Sequence, residues 1–338
     1  MMIKSPKYSR NNHIMNLGIE ILRFILCFWV ITFHFAGNKN RRKYKILNTF
    51  YHVPTFMLIS FYFSYKIFIS KDIIKYKRRL ERLLIPYIIW PLLFLLISFP
   101  FDSINIKQII IDLLIQYISG YKIIGCLWFV QNLIFFGIFF QIIYFLLNKQ
   151  SLIILQILFI ISYLLQYEEI NYKIFDKYPN HIRILSYIIE MMPIAIAGLI
   201  LKNIDILKKI SNDKIKYILF SIIALYFIYN YNIFGNIKGF YFVGIKQNIA
   251  GILLFISFSL IPLNKINNKI ILAIIKTTTR YTGGIYYLQK ITDYILNKFE
   301  FLNQNPFLKC FMIYIFGFLI CFLFTKIFRN NRLKYLFN

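Results

Sequence analysis

Residues 19–35 read IEILRFILCFWVITFHF, an apolar run of bilayer-crossing character that also carries Glu20, Arg23 and His34. A helix needs about 20 mostly apolar residues to cross a hydrocarbon core. An Arg at the centre of such a helix costs roughly 2.5 kcal/mol or more, so ionisable groups at that depth face a protein interior or a water-filled cavity and do work there. Arg23 and His34 are eleven residues apart. That is about three helical turns, which places them on nearly one face and about 16 Å apart along the axis. Glu20 precedes Arg23 by three residues, on the same face and at ion-pairing distance. One helix thus carries acid, guanidinium and imidazole along a single stripe.

The rest of the chain has the same solvent preference. Of its 338 residues 59% are hydrophobic and 20% aromatic, with a mean hydropathy of +0.61. Soluble domains are nearer 45–50% apolar, so a single aqueous core is excluded and an integral membrane protein is expected. The formal charge of +27 would suggest nucleic acid in a soluble chain. Here Lys and Arg cluster between apolar runs, which reads as topology and contact with anionic headgroups, with no nucleic-acid partner. Binding of an anionic substrate is the sharper alternative for any one cluster. Cys27, Cys126, Cys310 and Cys321 all sit in apolar segments without a CxxC pair. They read as small buried hydrophobes, and neither a disulfide nor a metal site is expected. Lys4, Lys7 and Arg10 precede the first run, which has no small-residue cleavage site and reads as a retained helix.

Apolar runs of spanning character lie at 17–36, 49–69, 83–101, 123–147, 151–167, 184–201, 217–234, 240–262, 281–298 and 308–328. The expected fold is an all-α integral membrane protein of about ten transmembrane helices in one bundle. Ten spans put both termini on one side. Lys and Arg are more numerous in the segments that share that side, which makes the termini cytoplasmic. The basic loop 38–45, NKNRRKYK, falls on the opposite side and argues the other way. Residues 104–118 read as a short interfacial helix, and 168–183 as an outer loop. No linker composition divides the chain, so one membrane domain is expected over 1–338, with its core at about 17–328.

Four constellations carry possible chemistry. Arg23 and His34 suit a general base with a cation holding an anion or a developing charge. The bland alternative is an interfacial His and an Arg snorkelling to the headgroups. In YHVPTFMLISFYFSY, residues 51–65, His52 opens the second span beside the end of the first, a placement that would let the two imidazoles share one pocket mouth. Ser60 there reads as bonded to its own helix backbone. In KYKRRLERLLIPYIIW, residues 75–90, Arg78 and Arg82 are one helical turn apart, with Arg79 beside them. Guanidinium pairs bind phosphate bidentately, and positive-inside anchoring is the alternative. In CLWFVQNL, residues 126–133, Gln131 and Asn132 suit helix–helix bonding, and Trp128 is an interfacial belt residue or a pocket wall. Glu190 and Lys246 stand at apparent membrane depth, to pair with each other or with Arg23.

Taken in order, these segments resemble the acyltransferase 3 family of integral membrane acyltransferases, which includes bacterial O-acetyltransferases of surface polysaccharides. The residues that carry the resemblance are Leu22-Arg23 with His34, VPTFMLISFY at 53–62, the basic residues before Ile85-Pro86-Tyr87, Leu127-Trp128-Phe129, and Ile285-Tyr286-Tyr287-Leu288. Phe61 stands where the family has Gly, and Gln289 where it usually has His. The resemblance implies acyl transfer, most often of acetyl, from cytoplasmic acyl-CoA to a hydroxyl of a cell-surface or lipid-linked glycan, with no metal. It implies a multi-pass protein of the bacterial plasma membrane, with surface-polysaccharide biosynthesis proteins as partners besides the lipid bilayer. On this expectation His34, Arg23 and Glu20 are catalytic, and Arg78, Arg79 and Arg82 bind acetyl-CoA or another acyl-CoA. His52 and Trp128 then meet the acceptor. A polysaccharide exporter or flippase, using the same cavity without acyl chemistry, is the alternative.

Overall fold

The computed structural model describes residues 16–35, 52–98, 106–120, 122–125, 127–147, 150–165, 183–204, 221–223, 245–260, 269–329 and 331–337. Among these residues all regular structure is helical. In chain order the helices are α1 (Leu17–Phe35), α2 (His52–Ser70), α3 (Ile73–Ser98), α4 (Ile106–Ser119), α5 (Trp128–Leu147) and α6 (Ser151–Leu165). They continue with α7 (Arg183–Asn203), α8 (Ile245–Leu260), α9 (Lys269–Arg280), α10 (Thr282–Leu296), α11 (Glu300–Gln304) and α12 (Pro306–Ile327). A 3₁₀ turn follows at Arg332–Leu336.

Five of these helices, α1, α2, α3, α5 and α12, are long and apolar enough to cross a membrane. Ser151–Leu164 and Gln247–Leu260 are apolar but shorter. The run at 217–234 lies almost wholly outside the described residues, as do the loop at 38–45 and nearly all of 168–183. Each of the other apolar runs carries a helix, and 104–118 forms α4.

One boundary and one helix differ from the sequence expectation. α3 starts at Ile73, a full ten residues before its apolar run, because Asp72 caps it. The Asp72 carboxylate accepts from the Lys75 backbone N–H at 3.0 Å and pairs with Lys75 Nζ at 2.8 Å, as an N-cap does. Lys71, with φ of 50°, reverses the chain out of α2. The arginines of 78–82 therefore sit on the helix and inherit its rotation. The second difference is α9, a helix in the segment between the apolar runs 240–262 and 281–298. Its Ile residues recur at helical spacing, and it packs on α1.

Close backbone approach fixes the centre of the bundle. α2 packs most extensively on α7. A Cβ on Gly198 of α7 would lie 2.6 Å from the Leu58 carbonyl oxygen and 3.1 Å from the Tyr62 nitrogen. A Cβ on Gly251 of α8 would meet Thr55 of α2 at 3.0 Å. Small residues at such crossings let helices gain dispersion contacts where lipid offers no hydrophobic drive. On another side of α2 an aromatic seam joins α5: Phe61 meets Phe136 and Phe140 edge-on, and Phe68 stacks on Tyr144. The order of these contacts makes α2 and α5 parallel. Large apolar side chains such as Phe24, Ile142, Phe145, Leu319 and Leu323 stay exposed along the spans, as a lipid-facing surface requires.

The Gly198 contact generates a stability test. Gly198→Ala should lower the thermal midpoint of the detergent-purified protein, at a cost of about 1–3 kcal/mol for overpacking. Gly137→Ala, where a Cβ meets nothing within 4 Å, should leave the midpoint unchanged or raise it.

Candidate functional site

The first locus is built on Arg23. Its Nη1 donates to Glu20 Oε2 at 3.0 Å, and its Nη2 donates to Thr282 Oγ1 at 3.1 Å. The guanidinium therefore bridges α1 and the start of α10. Thr282 is held in turn: its hydroxyl donates to the Thr279 carbonyl at 3.0 Å, and its carbonyl accepts from Cys27 Sγ at 3.7 Å. A guanidinium has five N–H donors, so others remain for an anion or a carbonyl. Asn16 fixes the entry to α1, donating to the Ser259 carbonyl at 2.8 Å and accepting from the Ile19 N–H. The stripe expected from spacing is thus real at this end, and its Glu20–Arg23 pair is formed.

The second locus is at the other end of α1. Phe33 lies between two imidazoles in space: its ring centroid is 5.4 Å from that of His34 and 5.6 Å from that of His52. His34 is exposed, whereas His52 is buried. α2 runs antiparallel to α1, and this is what returns His52 to the level of His34. Trp128 is half-buried at the start of α5. α5 is parallel to α2, so Trp128 lies toward the His52 end. Its backbone packs on Gly120, whose φ of 67° and closeness (a Cβ would be 2.5 Å from Trp128 Cα) leave no room for a side chain. The next residue, Phe129, contacts Phe56 of α2 and Tyr286 of α10.

The three arginines of α3 separate. Arg78 and Arg82, one turn apart on one face of α3, are both exposed. Arg79 is rotated about 100° from Arg78 and turns inward. Its Nη2 donates to Ser60 Oγ at 3.2 Å, and its guanidinium lies 5.6 Å from the Phe61 ring and 6.0 Å from the Phe68 ring. The Ser60 hydroxyl is therefore an acceptor for another helix, not a group bonded only within its own. Phe61, at the position where the resembled family has Gly, forms part of this cation–π shelf. Arg82 instead lies 5.5 Å from the Tyr335 ring.

Sequence reading missed a further charged group. Lys309 of α12 pairs with Asp293 of α10 at 2.7 Å and donates to Asn297 Oδ1, and Asn297 Nδ2 donates to Asp293 Oδ2 at 3.2 Å. Both partners of the ion pair are nearly buried. The neighbouring Cys310 reaches the Ile31 carbonyl at 3.9 Å, which puts this pair at the His34 end of α1. A signal was present: Thr282, Gln289 and Asp293 recur at intervals of seven and four, one face of a helix. Gln289 on that face is buried, and neither end of its amide has a hydrogen-bond partner among the described residues. Glu190 is buried in α7. The Lys246 side chain and Cys126 lie outside the described residues. Cys27, Cys310 and Cys321 are buried thiols.

A family model described as an acyltransferase domain matches residues 16–326. No curated protein and no solved structure matches the chain.

The Asp293–Lys309 pair makes a prediction independent of activity. Lys309→Met leaves a buried carboxylate without its cation and should destabilise by about 3–5 kcal/mol. Lys309→Met combined with Asp293→Asn should recover most of the loss. Equal melting of wild type and the single variant in detergent would contradict the assignment.

Proposed function

The chain belongs to the acyltransferase family, and on that premise we propose that it moves an acetyl or other acyl group from cytoplasmic acyl-CoA to a hydroxyl of a cell-surface or lipid-linked glycan. The family and the apolar helices make it a multi-pass membrane acyltransferase. The proposed topology has about ten spans in one domain, with both termini in the cytoplasm of a bacterial cell. The observation that supports the reading is the division of α1: Arg23 is tied to Thr282 at one end, and His34 and His52 meet the Phe33 ring at the other.

In this mechanism the donor enters at the Arg78–Arg82 end. Its phosphates meet those exposed guanidinium groups, which suit bidentate phosphate binding. Arg79, behind them on Ser60, positions α3 against α2. Arg23 lies along the donor path, about three turns below His34. The acceptor glycan approaches at the His34 end, with His52 and Trp128 as its lining. His34 removes the acceptor hydroxyl proton as that oxygen forms a bond to the thioester carbonyl carbon. A neutral imidazole suits this task near neutral pH. The carbon–sulfur bond then breaks, the thiolate leaves, and the proton carried by His34 returns to it. Glu20 keeps Arg23 aimed, and Arg23 offers its remaining N–H groups to negative charge.

The test is made in a strain that lacks the chain. His34→Ala should lower acylation of the surface glycan, read as an acetyl-sized mass increment, by about 100-fold or more, while the protein stays in the membrane at wild-type level. Full acylation in the variant overturns the assignment of His34. Unchanged glycan mass with altered glycan export in the deletion strain overturns the enzyme reading in favour of an exporter.

A further inference from the structure

The 3₁₀ turn Arg332–Leu336 folds back onto α3, where nothing in the sequence pattern places it. Asn331 caps the turn, its Oδ1 accepting from the Leu333 N–H at 3.1 Å. Trp90 Nε1 of α3 donates to the Leu336 carbonyl at 3.2 Å. Phe337 meets the Trp90 ring edge-on at 5.7 Å and stacks on Phe324 at 4.9 Å. Arg332 reaches Glu81 at 3.5 Å. Gly284 admits this packing, because a Cβ there would be 2.6 Å from the Phe337 carbonyl oxygen. Gly284 is two residues from Thr282, the partner of Arg23. The turn therefore runs from the exposed arginines of α3 down to the Arg23 locus.

Its position creates a second juxtaposition. The Tyr335 ring has Arg82 Cζ at 5.5 Å and Lys334 Nζ at 5.7 Å. Two cations, from elements about 250 residues apart in sequence, are held against one half-buried ring. Each gains about 0.5–1 kcal/mol or more from the ring. Lys334 also donates to the Arg329 carbonyl at 3.5 Å, which limits its travel. A pair of cations held in this way suits a multiply charged oxyanion better than either alone.

We propose that Arg82 and Lys334, aligned on Tyr335, form a two-cation clamp for a phosphate ester at this end of the bundle. Lys334 contacts the phosphate, and Tyr335 is a positioning residue. The inference rests on the reading that the donor enters at the Arg78–Arg82 end. The phosphate belongs either to the nucleotide part of acyl-CoA or to an anionic lipid headgroup, and the two sources are separable.

Full-length wild type, Arg82→Ala, Lys334→Ala, Tyr335→Ala and Tyr335→Phe are purified in neutral detergent and titrated with acetyl-CoA by calorimetry. Retained phosphatidylglycerol is measured on the same samples by native mass spectrometry. Lys334→Ala and Tyr335→Ala should each weaken the phosphate ligand about tenfold, the size of one charge-assisted hydrogen bond. Tyr335→Phe, which keeps the ring, should bind as wild type. A loss confined to acetyl-CoA assigns the clamp to the donor, and a loss confined to phosphatidylglycerol assigns it to the headgroup. Wild-type binding of both ligands by Lys334→Ala and Tyr335→Ala overturns the clamp. If Arg82→Ala then still loses acetyl-CoA, the donor reading survives without the clamp. If Arg82→Ala, Lys334→Ala and Tyr335→Ala all lose only phosphatidylglycerol, the donor reading at this end fails while the clamp stands. Thermal midpoints within the wild-type range identify the variants that report binding and not unfolding.

Discussion

The Arg23 guanidinium is the constraint on which the surrounding arrangement depends. A cation on an apolar helix is costly unless it is paired and hydrogen-bonded. Glu20 supplies the charge, and Thr282 supplies the link to a second helix. To satisfy Arg23, α1 must rotate its polar stripe toward α10, and the start of α10 must lie level with the second turn of α1. The Thr282 carbonyl and Cys27 thiol reinforce that register. α10 then runs parallel to α1, and its polar face carries Gln289 and Asp293 toward the level of His34.

Charged and aromatic side chains are combined throughout the bundle. Arg79 rests on Phe61 and Phe68, Lys202 on Tyr62 and Lys326 on Phe322. In a chain with 40 Lys and Arg against 13 Asp and Glu, carboxylates are too few to pair every cation. Ring faces, which are abundant at 20% of residues, supply negative electrostatic potential without adding a charge. This gives the basic and aromatic biases one structural use. It also explains why Phe61 fits where the resembled family has Gly: the larger ring fills the space beside Arg79 and extends the seam to Phe136 and Phe140.

Much of this was legible in the primary structure. The apolar runs located most of the described helices because spanning length and hydropathy are properties of one segment. The Glu20–Arg23 pair was legible because i and i+3 residues adjoin on any helix. The proximity of His34 and His52 was legible in outline, since consecutive spans return at the same level. The separation of Arg79 from Arg78 and Arg82 was less so. Their rotation on a helix is calculable, yet only the position of α2 decides which of them is inside. The Asp293–Lys309 pair went unread because α10 and α12 form a hairpin whose turn includes α11, and its register sets which residues face each other.

The sequence by itself therefore determined the solvent, the helical class and the polar stripe of α1, since each is carried by composition or by spacing within one segment, and the family, through motifs in order along residues 16–326. The tertiary structure alone decided that Thr282 completes the Arg23 locus, that Ser60 receives Arg79, and that Tyr335 gathers Arg82 and Lys334. Each of these contacts depends on how two helices are rotated and slid against one another. That freedom is fixed by close approach at Gly198, Gly251 and Gly284 and by the burial of charge, neither of which any local window contains.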